Sequence, residues 1–459
     1  MANQQLTSPE ADAVEAAIHD AYRRRTPRSA EWHERASAAL VGGVSGTVRY
    51  FSPHPSYFES GQGSRTTDID GNILIDHFLC GATLLLGHRH PELIAAQQRA
   101  TAGGSLVLNP PLVTEVAEQL QAMVPAAERV RFLNSGTEAV MTSLRFARAF
   151  TGRPKIVKFL GTYHGMEDQV LVGLDGRGIR LGRGIPDSLV ADTVNADFTD
   201  LDQLQVILAA GDVAAVLVDP SMHHGGLWAG DPAHYRAIQA LVRDAGSLLI
   251  FDEVISGFRL AAGGAQEYFG VVPDLAVFGK ALGAGERFGA VVGRAEVMAV
   301  ADPSSRRSGP FAFQSGTCND SFVAMTSATT ALGLYAQHGR DGDYETIAAR
   351  AERLGEGLTA AFADRGIACH ANTLGPMVRL FLTDGPLDYA HCSRLPSRPI
   401  NSFHLALLTE GVLTLPGSND FFLSFAHSDD DIQQVIAAAG RVLERFDISA
   451  LLPDPAERT

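Results

Sequence analysis

Short apolar segments alternate with helical sequence through the middle of the chain, and this alternation limits the possible folds more than any other feature. Apolar segments of strand length occur at RVRFLN, KIVKFLG, VAAVLVDP, SLLIFDEV and DLAVFGK. Helical patterns lie between them, for example at 91–103 and 232–245. Strands that alternate with helices form parallel β-α-β units. The sequence therefore predicts an α/β fold with a mostly parallel central sheet covered by helices.

The alternation stops near residue 331, and this change predicts three parts of the chain. Residues 1–77 predict an N-terminal helical arm followed by small strands, and residues 78–330 predict the large α/β domain. Residues 331–459 mix helices with strands near MVRLFL and FFLSFA, which is typical of a smaller α+β domain. We expect the N-terminal arm to pack with this C-terminal domain.

The composition limits the partners and the location of the protein. The chain has 37 Lys and Arg residues against 52 Asp and Glu residues, a formal net charge of −15. Nucleic acid is bound by a basic face, so an acidic chain argues against such a partner. Four widely separated cysteines predict neither a zinc motif nor a disulfide framework. With no signal-peptide or membrane-spanning pattern, we expect a cytoplasmic protein without metal or membrane contacts.

Polar residues that follow the predicted strands form the first candidate site, because open α/β sheets bind ligands beyond the carboxyl ends of their strands. Ser135-Gly136-Thr137 follows RVRFLN and opens a helix, where free N–H groups and the positive dipole end can hold a phosphate. The alternative is that Ser135 or Thr137 only caps the helix. Tyr163 follows KIVKFLG and is either a stacking surface for a planar cofactor or an ordinary loop aromatic.

Two charged residues end neighbouring strands further along the chain. Asp252 ends LLIFD, and a carboxylate there is costly unless it is paired. Its partner is either an arginine such as Arg259 or the protonated nitrogen of a heterocyclic cofactor. Lys280 ends DLAVFGK, and lysine is seldom fully buried. A desolvated lysine can form a Schiff base, whereas the alternative is an amine that reaches the surface.

Together these residues supply what pyridoxal 5'-phosphate requires: an amine, an acid for the ring nitrogen, a ring surface and a phosphate site. Other cofactor motifs are weaker. The segment GRGIRLGRG at 176–184 lacks the G-x-G-x-x-G spacing of a dinucleotide site. Gly279-Lys280-Ala281 lacks the Ser or Thr and the upstream glycine of a P-loop.

At these residues the chain resembles a fold-type I, class III pyridoxal-phosphate-dependent aminotransferase, and more narrowly the glutamate-1-semialdehyde 2,1-aminomutase branch of that family. The resemblance extends from about residue 25 to residue 446. Its most specific motifs are NSGTEAVMTSLRFARAFTGRPKIVKFLGTYHG and LIFDEVISGFR. DLAVFGKALGAG, SGTCNDSFVAM and FLSFAHSDDDI support it.

The resemblance implies how the cofactor ring is held. Lys280 would form the internal aldimine and then move protons between the α-carbon and C4′. Asp252 would keep the pyridine nitrogen protonated. Tyr163 and Val254 would cover the two faces of the ring, and His224 would approach its phenolic oxygen.

The resemblance also implies a phosphate site, a substrate site and an oligomeric state. Ser135, Gly136 and Thr137 would bind the phosphate together with Thr317 of the other subunit, which implies a homodimer with shared active sites. Arg49, in GGVSGTVRYF, would hold a substrate carboxylate, a task that suits the two-pronged guanidinium group.

Several substrate residues differ from the aminomutase pattern, whereas the cofactor residues are kept. Gly46 stands where the aminomutase has a serine, and Gly81 stands where it has a tryptophan, which predicts a wider pocket. The expected activity is ping-pong transfer of an amino group between a carboxylate-bearing amino acid and an oxo acid. β-Amino acids and aromatic D-amino acids are candidate donors. An aminomutase, and an epimerase or decarboxylase on the same fold, are the alternatives.

Overall fold

Two helices and a small sheet form the N-terminal part of the protein. The computed structural model describes residues 8–104, 108–174, 180–385, 389–417 and 419–453. Its first elements are α1 (Pro9–Arg25), α2 (Pro27–Ser37), β1 (Phe58–Gln62), β2 (Arg65–Asp68), β3 (Ile73–Asp76), α3 (Leu79–Ala82), α4 (Pro91–Gly103) and α5 (Leu112–Met123). Prolines begin α1, α2 and α4, where the missing N–H group has no helical partner to lose.

The central sheet follows, with helices between its strands. The elements are β4 (Arg129–Leu133), α6 (Gly136–Thr151), β5 (Lys155–Phe159), α7 (Asp187–Val190), β6 (Thr193–Ala196), α8 (Leu201–Ala209), β7 (Val213–Val218), α9 (Pro232–Asp244), β8 (Leu248–Asp252), α10 (Ala265–Phe269), β9 (Leu275–Phe278), β10 (Gly289–Gly293), α11 (Ala295–Met298) and α12 (Phe322–Asp341). The strand order is β4-β10-β9-β8-β7-β5-β6. Among these strands β10 is antiparallel to both neighbours, and the other pairs are parallel.

This arrangement confirms the predicted α/β fold with a mostly parallel sheet. Strands β7 and β8 are buried along their whole length, as expected for strands covered on both faces. One apolar cluster packs on one face, including Val216, Phe251 and Phe278, and another packs on the other, including Leu217 and Ile250. Because the strands run parallel, their carboxyl ends meet at one edge of the sheet.

The C-terminal part contains α13 (Asp343–Ala363), β11 (His370–Leu374), β12 (Met377–Phe381), α14 (Tyr389–Cys392), α15 (Ser397–Thr409), β13 (Val412–Leu413), β14 (Asp420–Phe422) and α16 (Asp429–Arg445). Strands β11, β12 and β14 form a separate sheet, whereas β13 pairs with β3 in the N-terminal sheet. Tyr22 of α1 lies in one apolar cluster with Phe403 and Leu443. The N-terminal arm and the C-terminal helices therefore share a core.

The structure also bears on the predicted domain boundary at residue 330 and on membrane-spanning helices. Helix α12 continues across residue 330, so the predicted boundary there falls inside one helix, and the division into domains stays a prediction. The helices in the described part of the chain include none with both the length and the apolar character needed to cross a membrane.

Candidate active site

A cavity of about 210 Å³ opens at the carboxyl ends of the central strands. Its walls are formed by Ser135, Gly136, Thr137, Val140, Tyr163, His164, Gly165, Asp219, His224, Asp252, Val254, Ile255 and Lys280. All the site residues predicted from the sequence except Arg49 and Thr317 therefore lie around one space. The strand-end rule had predicted six of them, and the family resemblance had added His224 and Val254.

The first turn of α6 forms one end of the cavity. The hydroxyl of Ser135 accepts a hydrogen bond from the Glu138 N–H group at 3.1 Å, so this side chain caps the helix. The first N–H groups of a helix have no partner within it and carry the positive end of its dipole. Gly136 and Thr137, in this turn, line the cavity, and a helix start of this kind is able to bind an anion through its backbone donors.

Glycine keeps the space between this turn and Val254 open. A Cβ atom on Gly136 would lie 2.8 Å from the Cγ2 atom of Val254, well inside contact distance. A Cβ atom on Gly279 would lie 3.4 Å from the Gly136 nitrogen. Side chains at these two positions would fill the region between the helix start and the end of β9.

Asp252 is buried at the end of β8 and pairs with a histidine. Its Oδ2 atom lies 2.6 Å from Nδ1 of His164, and its Oδ1 atom accepts a hydrogen bond from the Val254 N–H group at 3.1 Å. The Nε2 atom of His164 lies 2.9 Å from the Thr162 hydroxyl. The alternative salt bridge to Arg259 is wrong, because the Arg259 guanidinium donates to backbone carbonyls elsewhere. The carboxylate is thus fixed in orientation inside the cavity.

Lys280 follows β9 and points an amine into the same cavity. Its φ angle of 41° is unusual for a residue with a side chain, and such strain is typical of functional sites. Burial, opposed by the charge of Asp252 and helped by that of Arg259, lowers the pKa of the Lys280 amine to about 8. An appreciable fraction of this amine is unprotonated near neutral pH, as a nucleophilic lysine requires.

Tyr163 and His224 form another wall. Their ring centroids are 5.2 Å apart with an interplanar angle of 57°. His224 is exposed to the cavity, but neighbouring protein desolvates its imidazole and lowers its pKa well below the usual value, helped by the charges of His223 and Lys280. His223 points elsewhere, because its Nε2 atom lies 3.2 Å from Asp420. The two adjacent histidines therefore do not form one metal site.

Arg49 and Thr317 lie outside this cavity in the single chain. Arg49 is exposed and donates a hydrogen bond to the Ser45 hydroxyl at 2.6 Å. Thr317 is also exposed, in the segment before α12. Its neighbour Asn319 accepts a hydrogen bond from Asn134 at 2.9 Å, so this segment passes close to the start of α6.

Five residues that line the cavity were not predicted from the sequence, and two of them, His164 and Asp219, carry ionisable side chains. His164 follows Tyr163, and Asp219 follows β7, so both obey the strand-end rule that identified the other residues. Asp219 accepts hydrogen bonds from the backbone N–H groups of Ser221 and His223, at 2.9 and 3.0 Å, and shapes the loop that carries His224. Applying the rule to every strand end would have found them.

Comparison with known proteins identifies the family. The sequence profile of the class III aminotransferases matches residues 49–365. A glutamate-1-semialdehyde 2,1-aminomutase from Methanopyrus kandleri is 36% identical, with 93% of this chain and 99% of that protein aligned.

Two solved structures are also similar. An omega-transaminase from Sphaerobacter thermophilus has a TM-score of 0.86 at 32% identity, covering 93% of this chain and 99% of the other. A β-phenylalanine aminotransferase from Variovorax paradoxus has a TM-score of 0.86 at 30% identity, covering 96% and 99%. The chain described here belongs to the class III aminotransferases.

Proposed function

We propose that this enzyme uses pyridoxal 5'-phosphate to transfer an amino group between a carboxylate-bearing amino acid and an oxo acid. One observation carries the proposal: an amine, a carboxylate and a helix start converge on a single cavity. The sequence contains three lysines, Lys155, Lys158 and Lys280. Lys155 pairs with Asp212, and Lys158 donates to two buried carbonyls, so Lys280 alone of the three reaches the cavity.

The donor set of the cavity fits this cofactor. Gly136 and Thr137, in the turn that Ser135 caps, would hold the phosphate group through backbone N–H donors. Tyr163 and Val254 would cover the faces of the ring, and the space that Gly136 leaves beside Val254 supports this placement.

Three further side chains would meet the edge of the ring. Asp252 would hold a proton at the ring nitrogen, while His164 keeps the carboxylate in position. His224 would lie near the phenolic oxygen, and Lys280 near the aldehyde carbon. Bound there, the cofactor supplies an electron sink for charge on the carbon that carries the substrate amine.

The chemistry of the chain itself then follows from Lys280 and Asp252. With a pKa of about 8, the Lys280 amine can take a proton from the substrate carbon that carries the amino group. It can then deliver that proton to the cofactor carbon that receives the amino group. The Asp252 carboxylate stabilises the protonated ring nitrogen by a charge-assisted hydrogen bond. Asp252 is buried and Lys280 is partly buried, and such interactions are stronger there than in water.

The substrate class is proposed from Arg49 and from the altered residues near it. A guanidinium binds a carboxylate through two parallel hydrogen bonds. Gly46 and Gly81 carry no side chain, so we expect room for a bulky donor. β-Amino acids and aromatic D-amino acids are the candidates, and the name of the similar Variovorax paradoxus enzyme, a β-phenylalanine aminotransferase, supports the first of them.

A second candidate is an aminomutase that isomerises one substrate without releasing an oxo acid. The 36% identical aminomutase of Methanopyrus kandleri, aligned over nearly all of both chains, favours it. An epimerase or decarboxylase on the same fold is the third alternative. These reactions need the same amine, acid and phosphate site, so the cavity alone does not separate them.

We also propose a homodimer in which Thr317 of each subunit reaches the phosphate site of the other. Two apolar side chains in the segment that leads to Arg49 are exposed in the single chain: Val41 is 96% exposed and Val48 is 74% exposed. Exposed apolar side chains of this kind occur at interfaces. A cytoplasmic location is also part of the proposal, and it rests on the four widely separated cysteines of the sequence.

A donor panel tests the proposed activity. Purified enzyme loaded with cofactor is mixed with glutamate-1-semialdehyde, α-amino acids of both hands and β-amino acids, and visible absorbance and product masses are followed. Bleaching of the absorbance with a matching oxo acid supports amino transfer and identifies the donor. An isomerised product without an oxo acid indicates an aminomutase, and exchange of the α-hydrogen with unchanged absorbance indicates an epimerase.

A further inference from the structure

Segment α3 has an unusual backbone for a protein of L-amino acids. Leu79, Cys80, Gly81 and Ala82 have φ angles of 48°, 52°, 72° and 68°. Three of these four residues carry side chains, and residues with side chains seldom occupy this left-handed region, least of all in succession. A turn of this kind persists only if its surroundings hold it.

Two side chains hold the turn at its ends. At the start, Oδ1 of Asp76 accepts hydrogen bonds from the N–H groups of Phe78 and Leu79, at 2.9 and 2.8 Å. At the end, the guanidinium of Arg259 donates a hydrogen bond to the carbonyl of Ala82. The Asp76 contacts are local, whereas Arg259 comes from the segment that follows β8.

Arg259 is fully buried, and its surroundings are unusual for an arginine. In the described part of the chain it forms no ion pair, and its Nε atom has no hydrogen-bond partner. Its second terminal nitrogen donates to the carbonyl of Leu423 at 3.3 Å, and its guanidinium lies 5.4 Å from the ring centroid of Phe422. A planar guanidinium can reach two carbonyls on different segments, which an ammonium group does less well.

Two observations relate the left-handed turn to the candidate site. The charge of Arg49 acts on the Cys80 thiol of the turn, where it opposes the rise in pKa that desolvation and Asp76 cause. A Cβ atom on Gly285 would lie 3.6 Å from the Leu84 side chain. The segment that follows Lys280 therefore packs against the residues that follow the turn.

We propose that Arg259 is a positioning residue that holds the left-handed turn 79–82 as a wall of the substrate space and ties it to the C-terminal sheet at Leu423. The link to substrate rests on the proposed function, whereas the tether itself does not. Asp252 and Lys280 line the cavity themselves. Arg259 acts indirectly, by holding the turn and by the effect of its charge on the Lys280 amine.

Hydrogen–deuterium exchange of the full-length protein, with and without cofactor, tests the tether. Arg259→Lys keeps the positive charge but cannot bridge both carbonyls in the same way. We expect the amides of 79–84 to exchange about tenfold faster or more in this variant, because a hydrogen bond from a charged donor to a buried carbonyl is lost. The amides of β7 serve as the internal control and should keep their wild-type exchange.

Each outcome of the exchange experiment decides the proposal. Faster exchange confined to the turn and its flanking residues supports it. Wild-type exchange at 79–84 overturns it, and so does faster exchange in β7 as well, since Arg259 would then stabilise the whole protein rather than position the turn. The cofactor-free sample makes this result independent of the proposed function.

A second readout separates the charge of Arg259 from its shape. The charged groups that act on Lys280 are Asp252, Asp219 and Asp420, which raise the pKa of its amine, and Arg259, which lowers it. His224 lines the same cavity, and the charge of Lys280 helps to lower the pKa of that imidazole.

The pKa of Lys280 is measured in the cofactor-free protein from the pH dependence of its methylation by formaldehyde and cyanoborohydride, with mass spectrometry of the Lys280 peptide. In Arg259→Gln we expect the midpoint to rise by up to about one pH unit, because a nearby positive charge is removed. In Arg259→Lys it should stay near the wild-type value. Equal midpoints in all three proteins overturn the effect of the Arg259 charge on Lys280, and the exchange result for Arg259→Lys decides the tether, also if Arg259→Gln does not fold. Wild-type protein that binds no cofactor would refute the proposed function without affecting either readout.

Discussion

The Nδ1 atom of His164 lies 2.6 Å from the Oδ2 atom of Asp252, and both side chains are buried at the end of the central sheet. His164 is in turn close to the Thr162 hydroxyl, at 2.9 Å. A buried carboxylate in this setting is stabilised by its hydrogen bonds and cannot rotate freely. Asp252 is thereby prepared to meet a cationic group of fixed position.

Removing the charge of Asp252 should impair turnover while leaving the fold intact. Asp252→Asn keeps the size of the side chain, but it replaces a charge-assisted hydrogen bond worth about 1.5–3 kcal/mol, so we predict a 10- to 100-fold lower kcat. The measurement is steady-state turnover with the donor that the panel identifies, alongside cofactor absorbance. Asp244→Asn, at an exposed position on α9, is the matched control. Wild-type kcat in Asp252→Asn would contradict the assigned role.

Arg49 should determine the affinity for the substrate carboxylate. For Arg49→Ala we predict about a 10- to 100-fold higher KM for carboxylate donors, which corresponds to the loss of one charged hydrogen-bonding pair. The KM of Arg49→Lys should lie between those of the wild type and Arg49→Ala, because an ammonium group binds a carboxylate with less directionality. A donor amine without a carboxylate should be unaffected. The control is Arg24→Ala, which removes an exposed arginine of α1 and should leave KM unchanged. An equal rise in KM for donors with and without a carboxylate would refute the role of Arg49.

The proposed dimer predicts different effects for two equally exposed valines. Val48 and Val206 are each 74% exposed, but Val48 is next to Arg49 and Val206 lies on α8. A charge placed in an apolar interface is costly, so Val48→Asp should shift the protein toward the monomer and weaken cofactor binding. Val206→Asp should do neither. Sedimentation velocity with a cofactor titration checks both, and a wild-type oligomeric state in Val48→Asp would count against this interface.

Buried histidines predict that the protein loses stability in mild acid. Burial lowers the pKa of His77 to about 3, of His404 to about 3 and of His427 to about 4. The unfolded chain, with histidine near 6.5, therefore binds more protons than the folded protein between these pKa values and pH 6.5. Stability is complete above about pH 6.5 and is lost as the pH falls below it, by up to about 2 kcal/mol for each imidazole at pH 5.

Denaturant unfolding at pH 7.5 and pH 5 measures this loss in free energy. The free energy of unfolding of His404→Leu should depend less on pH than that of the wild type. The slope should correspond to up to about one fewer proton taken up on unfolding, because one buried imidazole has been removed. A free energy of unfolding that is equal at the two pH values would contradict this prediction. It would show that these imidazoles take up protons in the folded protein as readily as in the unfolded chain.

The sheet and most of the cavity could be predicted because they depend on local patterns. Each apolar run such as VAAVLV forms a strand, and the polar residue that follows it reaches the same edge of the sheet. Ser135, Asp252 and Lys280 were found in this way without any knowledge of their contacts. The rule applies because parallel strands share a direction.

Other features depend on contacts between distant parts of the chain and leave little local trace. Strand β10 is the segment GAVVG, which the sequence analysis did not recognise, and its antiparallel pairing with β4 spans over a hundred residues. Arg259 was considered a partner of Asp252 because the two are close in sequence. Its actual contacts, Ala82 and Leu423, come from opposite ends of the chain. Such long-range hydrogen bonds carry no periodicity that a sequence could reveal.

The central claim is that Lys280 holds the cofactor, and borohydride reduction tests it most directly. Reduction of the loaded enzyme would fix the cofactor to the amine that carries it, and mass spectrometry of the peptides identifies that amine among the three lysines. We expect the added mass on the Lys280 peptide, and none in Lys280→Ala. Added mass on Lys155 or Lys158, or no added mass on any lysine of the wild-type enzyme, would contradict it.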